Sequence, residues 1–111
     1  MKVAIVGSRK VNPTGEMFAL NIPAGVTQII TGGAIGADQA GEKYARKNKI
    51  PVEVIKPDYK KYGKAAPHVR NAEIFQKADF IVFFWDGLSR GTLSVLKMAE
   101  KKGKPFRLVK I

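Results

Sequence analysis

The sequence predicts an α/β fold: a three-layer αβα sandwich on a five-stranded parallel sheet in the order 3-2-1-4-5. Three observations carry that expectation. Short β-branched or aromatic runs alternate with helical patterns along the whole chain. One run, Phe80–Trp85, is apolar at every position, as in a strand covered by helices on both faces. Right-handed crossovers between parallel strands then favour that order. The 111 residues suffice for one domain over 1–111, but not for two.

The elements follow in turn. Val3–Val6 is an apolar strand that runs into Gly7-Ser8-Arg9. Asn12-Pro13 offers an N-cap and a proline for the first helical position, and Met17, Phe18 and Leu20 give that helix an apolar side. Val26–Thr31 is the second strand. From Ala37, small or apolar residues fall at 37, 40, 41, 44 and 45, a helical stripe. Val52–Ile55 is the third strand. Residues 56–69, with Pro57, Gly63 and Pro67, read as a basic loop before a short helix over Arg70–Ala78. After the fourth strand, Asp86–Gly91 is a loop and Thr92–Lys102 a helix closed by Gly103. Phe106–Val109 is the last strand.

Composition narrows the classes. Hydrophobic content of 45% and charged content of 26% are ordinary for a globular protein. No apolar run approaches the roughly 20 residues of a membrane span, so no membrane partner is expected. The first residues read as a strand rather than a signal peptide, and there are no cysteines; both favour a cytoplasmic protein. With His68 the only histidine, neither a metal site nor a resident cofactor is expected. The net charge is +11, concentrated in residues 42–64, with eight bases and three acids, and residues 97–110, with six bases and one acid. Such a field attracts polyanions. Most of these lysines fall on outer helix faces and loops, which favours a solvated surface over a nucleic-acid one.

The chemistry concentrates in three loops. Thr31-Gly32-Gly33-Ala34-Ile35-Gly36-Ala37-Asp38 joins a strand to a helix through three glycines. Such a turn lets backbone approach a ligand closely, and the helix start offers unpaired N–H groups to an anion. Its spacing matches neither the dinucleotide fingerprint nor the P-loop. A tight turn without a ligand is the alternative. Gly7, Ser8 and Arg9 follow the first strand, and Trp85, Asp86, Gly87, Ser89, Arg90, Gly91 and Thr92 follow the fourth. All three loops fall at the carboxyl edge of the sheet, where ligands bind in such folds. Arg9, Arg70 and Arg90 are expected to converge on an anion. Gly7, Gly32, Gly33 and Gly91 are expected to line the pocket. Trp85 offers either a stacking ring or a core side chain. Asp38 and Asp86 suit ribose hydroxyls, or else helix capping and turns.

These residues resemble the SLOG superfamily, in particular its small stand-alone YspA-like group. The motifs are Val6-Gly7-Ser8-Arg9, Thr31-Gly32-Gly33-Ala34-x-Gly36-Ala37-Asp38, Asp58-x-x-x-Tyr62-Gly63-Lys64-Ala65-Ala66, Arg70-Asn71 and Phe84-Trp85-Asp86-Gly87-x-Ser89-Arg90-Gly91-Thr92, in order over nearly the full length. The superfamily also holds the DNA-processing protein DprA and the LOG phosphoribohydrolases. The resemblance implies a Rossmann-like domain that binds nucleotides, nucleotide-derived signals or single-stranded DNA, often as a homo-oligomer.

The chain departs from LOG where LOG is catalytic. A LOG enzyme carries its glutamate three residues after a Gly-Thr pair; here Gly91-Thr92 is followed by Leu93, Ser94 and Val95. His68-x-Arg70 still resembles the LOG arginine segment, so Arg70, Asp38 and Asp86 are the catalytic candidates. A glycosidase needs a carboxylate near the ribose to support oxocarbenium-like chemistry. Three functional classes follow: a nucleotide-binding module, an N-glycosidase acting on a nucleoside monophosphate, and a DprA-like binder of single-stranded nucleic acid.

Overall fold

The computed structural model describes residues 1–111. Strands β1 (Lys2–Gly7), β2 (Gln28–Thr31), β3 (Val52–Val54), β4 (Phe80–Trp85) and β5 (Phe106–Lys110) form one sheet in the order β3-β2-β1-β4-β5. Every pairing is parallel. The fold is the expected Rossmann-like sandwich. Helices α1 (Gly15–Asn21) and α2 (Ala37–Lys47) cover one face; α4 (Ala66–Lys77) and α5 (Arg90–Lys102) cover the other. No helix is long and apolar enough to cross a membrane.

Burial explains the layering. Ile81, Val82, Phe83 and Phe84 of β4 are all fully buried. Strand side chains alternate between faces, so Ile81 and Phe83 enter the core under α4 and α5, while Val82 and Phe84 enter the one under α1 and α2. Phe18 of α1 meets Phe84 edge-to-face, ring centroids 4.9 Å apart. Lys104 closes the opposite edge of the molecule. Its ammonium donates to the carbonyls of Phe75 and Ala78 at the end of α4 and lies 4.3 Å from the Phe75 ring centre.

Three local expectations are corrected. Residues 56–69 are largely helical rather than a loop. Asp58 caps a single turn, α3 (Tyr59–Tyr62), by accepting from the Lys61 N–H at 3.1 Å; a 3-10 turn at Gly63–Ala65 leads into α4. Helix α4 therefore starts at Ala66, four residues before Arg70, with Pro67 in its first turn. The proline fits there because N–H groups of a first turn have no intrahelical partner. Helix α1 is capped by Thr14, whose hydroxyl accepts from Met17 at 3.2 Å, rather than by Asn12. Helix α5 opens at Arg90 with Ser89 as its cap, so Gly91-Thr92 lies inside the first turn.

The chain leaves β1 toward β2 and β3, then crosses back to β4 and β5. The strand order reverses between β1 and β4, whose carboxyl ends lie side by side with Gly7 opposite Phe84.

Candidate functional site

Ser8 ties the loops at this reversal together. It is buried at the end of β1. Its N–H donates to the Phe84 carbonyl at 3.0 Å, and its hydroxyl accepts from the Asp86 N–H at 3.2 Å. Its carbonyl accepts from Ala37 at the start of α2, at 3.3 Å. One residue thus joins β1, the loop after β4 and the head of α2. Two glycines permit the closeness. A Cβ on Gly7 would stand 2.7 Å from the Phe84 carbonyl oxygen. Gly36, at φ +86°, would place one 2.6 Å from the Ser8 carbonyl oxygen.

This tight assembly changes the reading of the glycine-rich turn. The head of α2 is largely closed to an anion: of the first three amides, only that of Asp38 has no partner. Ala37 donates to Ser8, and Gln39 donates to the Ala34 carbonyl at 3.2 Å. Asp38 sits in the same first turn, 7% exposed, and its Oδ2 accepts from the Ala34 N–H at 3.3 Å. A carboxylate already occupies the place an anion would take.

The head of α5 is the open one. Thr92 N–H is capped by the Ser89 hydroxyl and Leu93 donates to the Ser89 carbonyl, whereas the Arg90 and Gly91 amides have no partner. Asp86 shapes the approach: its Oδ1 accepts from Leu88 at 2.8 Å and Ser89 at 2.9 Å. Those two N–H groups hold its carboxyl below the ordinary carboxylate range.

Between α5, α4 and the loop after β1 lies a cleft of about 460 Å³. Helix α4 contributes Pro67, Arg70, Asn71 and Ile74, whose spacing of three, four and seven residues is one helix face. Arg70 is anchored on both sides. Its Nη1 donates to the Gly32 carbonyl at 2.7 Å and its Nε to Asn71 Oδ1 at 2.8 Å. A Cβ on Gly32 would stand 2.6 Å from Arg70 Nη1 and 2.8 Å from Asp38 Oδ2. The guanidinium and the carboxylate therefore close over the bare Cα of Gly32. Burial pushes the Asp38 carboxyl up to about 6, against the lowering pull of the Ala34 N–H, Arg70, the Gly32 N–H and Arg9.

The sequence-derived residues divide accordingly. Gly7, Ser8, Arg9, Ala34, Asp38, Arg70, Asn71, Asp86, Ser89, Gly91 and Thr92 line this cleft. Gly32 and Thr31 lie behind it; Thr31 is fully buried and its hydroxyl has no partner. Gly33 packs toward Val54 and Lys56, and Gly87 toward Lys110. Trp85 packs into the α4–α5 core, its indole N–H donating to the Ser89 carbonyl at 3.0 Å. Arg90 is exposed and lines no part of the cleft, so only two of the three arginines meet. Lys10, Pro67 and Leu88 line it without having been singled out from the sequence. Lys10 was signalled by its adjacency to Arg9, and Pro67 by its spacing from Arg70 and Ile74.

Compared with protein-family models, curated sequences and solved structures, the chain matches none. The cleft's own chemistry carries the functional reading: an unpartnered amide at Gly91, the cations Arg9, Lys10 and Arg70, and a buried carboxylate beside Arg70.

Proposed function

We propose that this cleft binds a nucleotide or a nucleotide-derived small molecule. The observation that carries the reading is the meeting of three features at the β1–β4 reversal: the free Gly91 amide at the head of α5, Arg9 with Arg70, and buried Asp38. Phosphate suits the Gly91 amide and the exposed cations Arg9 and Lys10. Asp38 accepts from ribose hydroxyls. Leu88, 83% exposed on the rim, gives a base an apolar surface. The resemblance to the SLOG superfamily supports the same class, and the lack of a membrane-crossing helix and of cysteine fits a cytoplasmic setting. Calorimetric titration with AMP tests it. Binding is expected, and Arg70→Ala is expected to weaken it by roughly 1.5–3 kcal/mol, the scale of a charge-assisted hydrogen bond. Unchanged affinity in that variant removes Arg70 from the site.

A second reading, N-glycosidase action on a nucleoside monophosphate, has one observation in its favour. Asp38, with its pKa raised to about 6, is poised for proton transfer near neutrality. Against it, Val95 stands where the LOG pattern places its glutamate, buried in the α4–α5 core. Weak or absent base release from AMP is therefore expected. Release at about 1 s⁻¹ or faster, abolished by Asp38→Asn, would establish the enzyme.

A further inference from the structure

A second cleft, of about 570 Å³, adjoins the first on the α2 side. It runs from the loop after β1 along α2, and Arg9 and Lys10 line both clefts. Its cations are Arg9, Lys10, Lys43 and Lys47, all exposed, and no carboxylate lines it. None of the four is in an ion pair; the ion pairs of this protein involve Arg46 and Lys77. Glu42 is drawn to Arg46 at 3.0 Å, which leaves Lys43 and Lys47 as like charges one helical turn apart. That spacing opposes helix formation, so helix stability does not account for it.

Two further features set the chemistry of what fits. The floor is apolar: Val11 and Phe18 are buried there, and Phe18 stacks on Tyr44 with ring centroids 5.2 Å apart. The rim carries two exposed amide side chains, Asn12 and Gln39. Asn21, Asn48 and Asn71 use their side-chain amides in bonds within the protein; Asn12 and Gln39 do not. A primary amide holds donors and an acceptor side by side. That pairing matches the C=O and N–H of a peptide unit, whereas a phosphodiester backbone offers acceptors alone.

We propose that this cleft docks an acidic segment of a partner protein: an extended run of aspartate and glutamate around one apolar residue. The carboxylates lie against Arg9, Lys10, Lys43 and Lys47, and the apolar side chain enters over Val11 and Phe18. Asn12 and Gln39 bond to the segment's backbone. Complementary charge selects the partner and the apolar anchor holds it. The partner is a different chain. The nine acids of this sequence are never closer than four residues apart, so neither it nor a second copy of it supplies an acidic run. Nucleotide binding in the first cleft is not required for this docking.

Fluorescence anisotropy with a labelled, end-capped peptide, Asp-Glu-Glu-Leu-Asp-Glu, tests it at physiological salt, where attraction between exposed charges is damped. The wild type is compared with a Lys43→Ala, Lys47→Ala double variant. Both lysines are exposed, so the variant retains the core, and its melting curve checks this. Saturable binding is expected, and about fivefold weaker binding in the double variant, the scale of two exposed charge pairs. Serine in place of the peptide's leucine is expected to weaken binding about tenfold. No saturable binding, equal affinity for the leucine and serine peptides, or an affinity unchanged in the double variant overturns the proposal. So does an oligothymidylate of the same charge that binds as tightly as the peptide, which would make the cleft a nucleic-acid surface.

Discussion

Asp38→Asn is expected to stabilise the protein at neutral pH, the reverse of the usual effect of altering a buried residue. The Asp38 carboxyl is raised from its ordinary value of 3.8 to about 6, with burial the leading cause. Between those values the folded chain holds a proton that the unfolded chain releases. Stability contributed by this group therefore falls as pH rises from about 4 to about 6, and stays low above that. At about 1.4 kcal/mol per tenfold change, the penalty on the ionised, folded form is about 3 kcal/mol. Asparagine keeps the shape and an oxygen for the Ala34 N–H but carries no charge. The attraction of Arg70 and Arg9 is already contained in the net shift, so a gain of up to about 3 kcal/mol is expected at pH 8, shrinking toward zero near pH 4. Denaturant melts of both proteins from pH 4 to pH 8 measure the difference. A variant less stable than the wild type at pH 8, or a difference that does not vary with pH, refutes the reasoning. Strongly shifted carboxyls cluster at ligand sites, and the proposed role of Asp38 accords with that.

Gly32→Ala is expected to weaken AMP binding about tenfold or more, because its Cβ would displace Arg70 Nη1 and Asp38 Oδ2 together; calorimetry on the folded variant checks this. Lys104→Met is expected to cost about 1–3 kcal/mol, since two carbonyls at the end of α4 lose their donor; a denaturant melt measures it, and an unchanged midpoint removes Lys104 as the cap of α4. Oligonucleotide binding is expected to fall with salt, with a log–log slope of about −0.7 per phosphate contact, and to vanish near physiological salt. AMP binding is expected to persist there, because amides and an anchored arginine are screened less than exposed lysines; paired titrations at two salt concentrations decide it.

The sheet was readable because its signals are local. Phe80–Trp85 has no polar position, so helices must cover both faces, and the strand matches residue for residue. The helical stripe from Ala37 likewise begins where α2 begins. What was not readable depends on contacts distant in sequence. Lysines 56, 60, 61 and 64 with Gly63 and Pro67 have the composition of a loop, yet Asp58 nucleates a turn and Pro67 occupies a first turn that tolerates it. That shift places Arg70 one turn inside α4, anchored on Gly32 from 38 residues away. The glycine-rich turn has the local form of an anion site, but carbonyls of Ser8 and Ala34 take the Ala37 and Gln39 amides of α2. Nothing in the sequence around Gly36 announces that Ser8 will be its neighbour. Arg90 shares with Arg9 and Arg70 only its place in a motif-bearing segment, and the helix it opens leaves it outside the cleft.

On the proposed function, the head of α5, and not the head of α2, receives a nucleotide phosphate beside Arg9 and Arg70. Amide chemical-shift mapping by NMR during an AMP titration at physiological salt tests it most directly. Saturable shifts are expected to concentrate at Ser8, Arg9, Gly91 and Thr92, with small changes at Gln39 and Ala40, whose amides are already bonded within the protein. No saturable shift, or the largest shifts along Gln39 and Ala40, would contradict it.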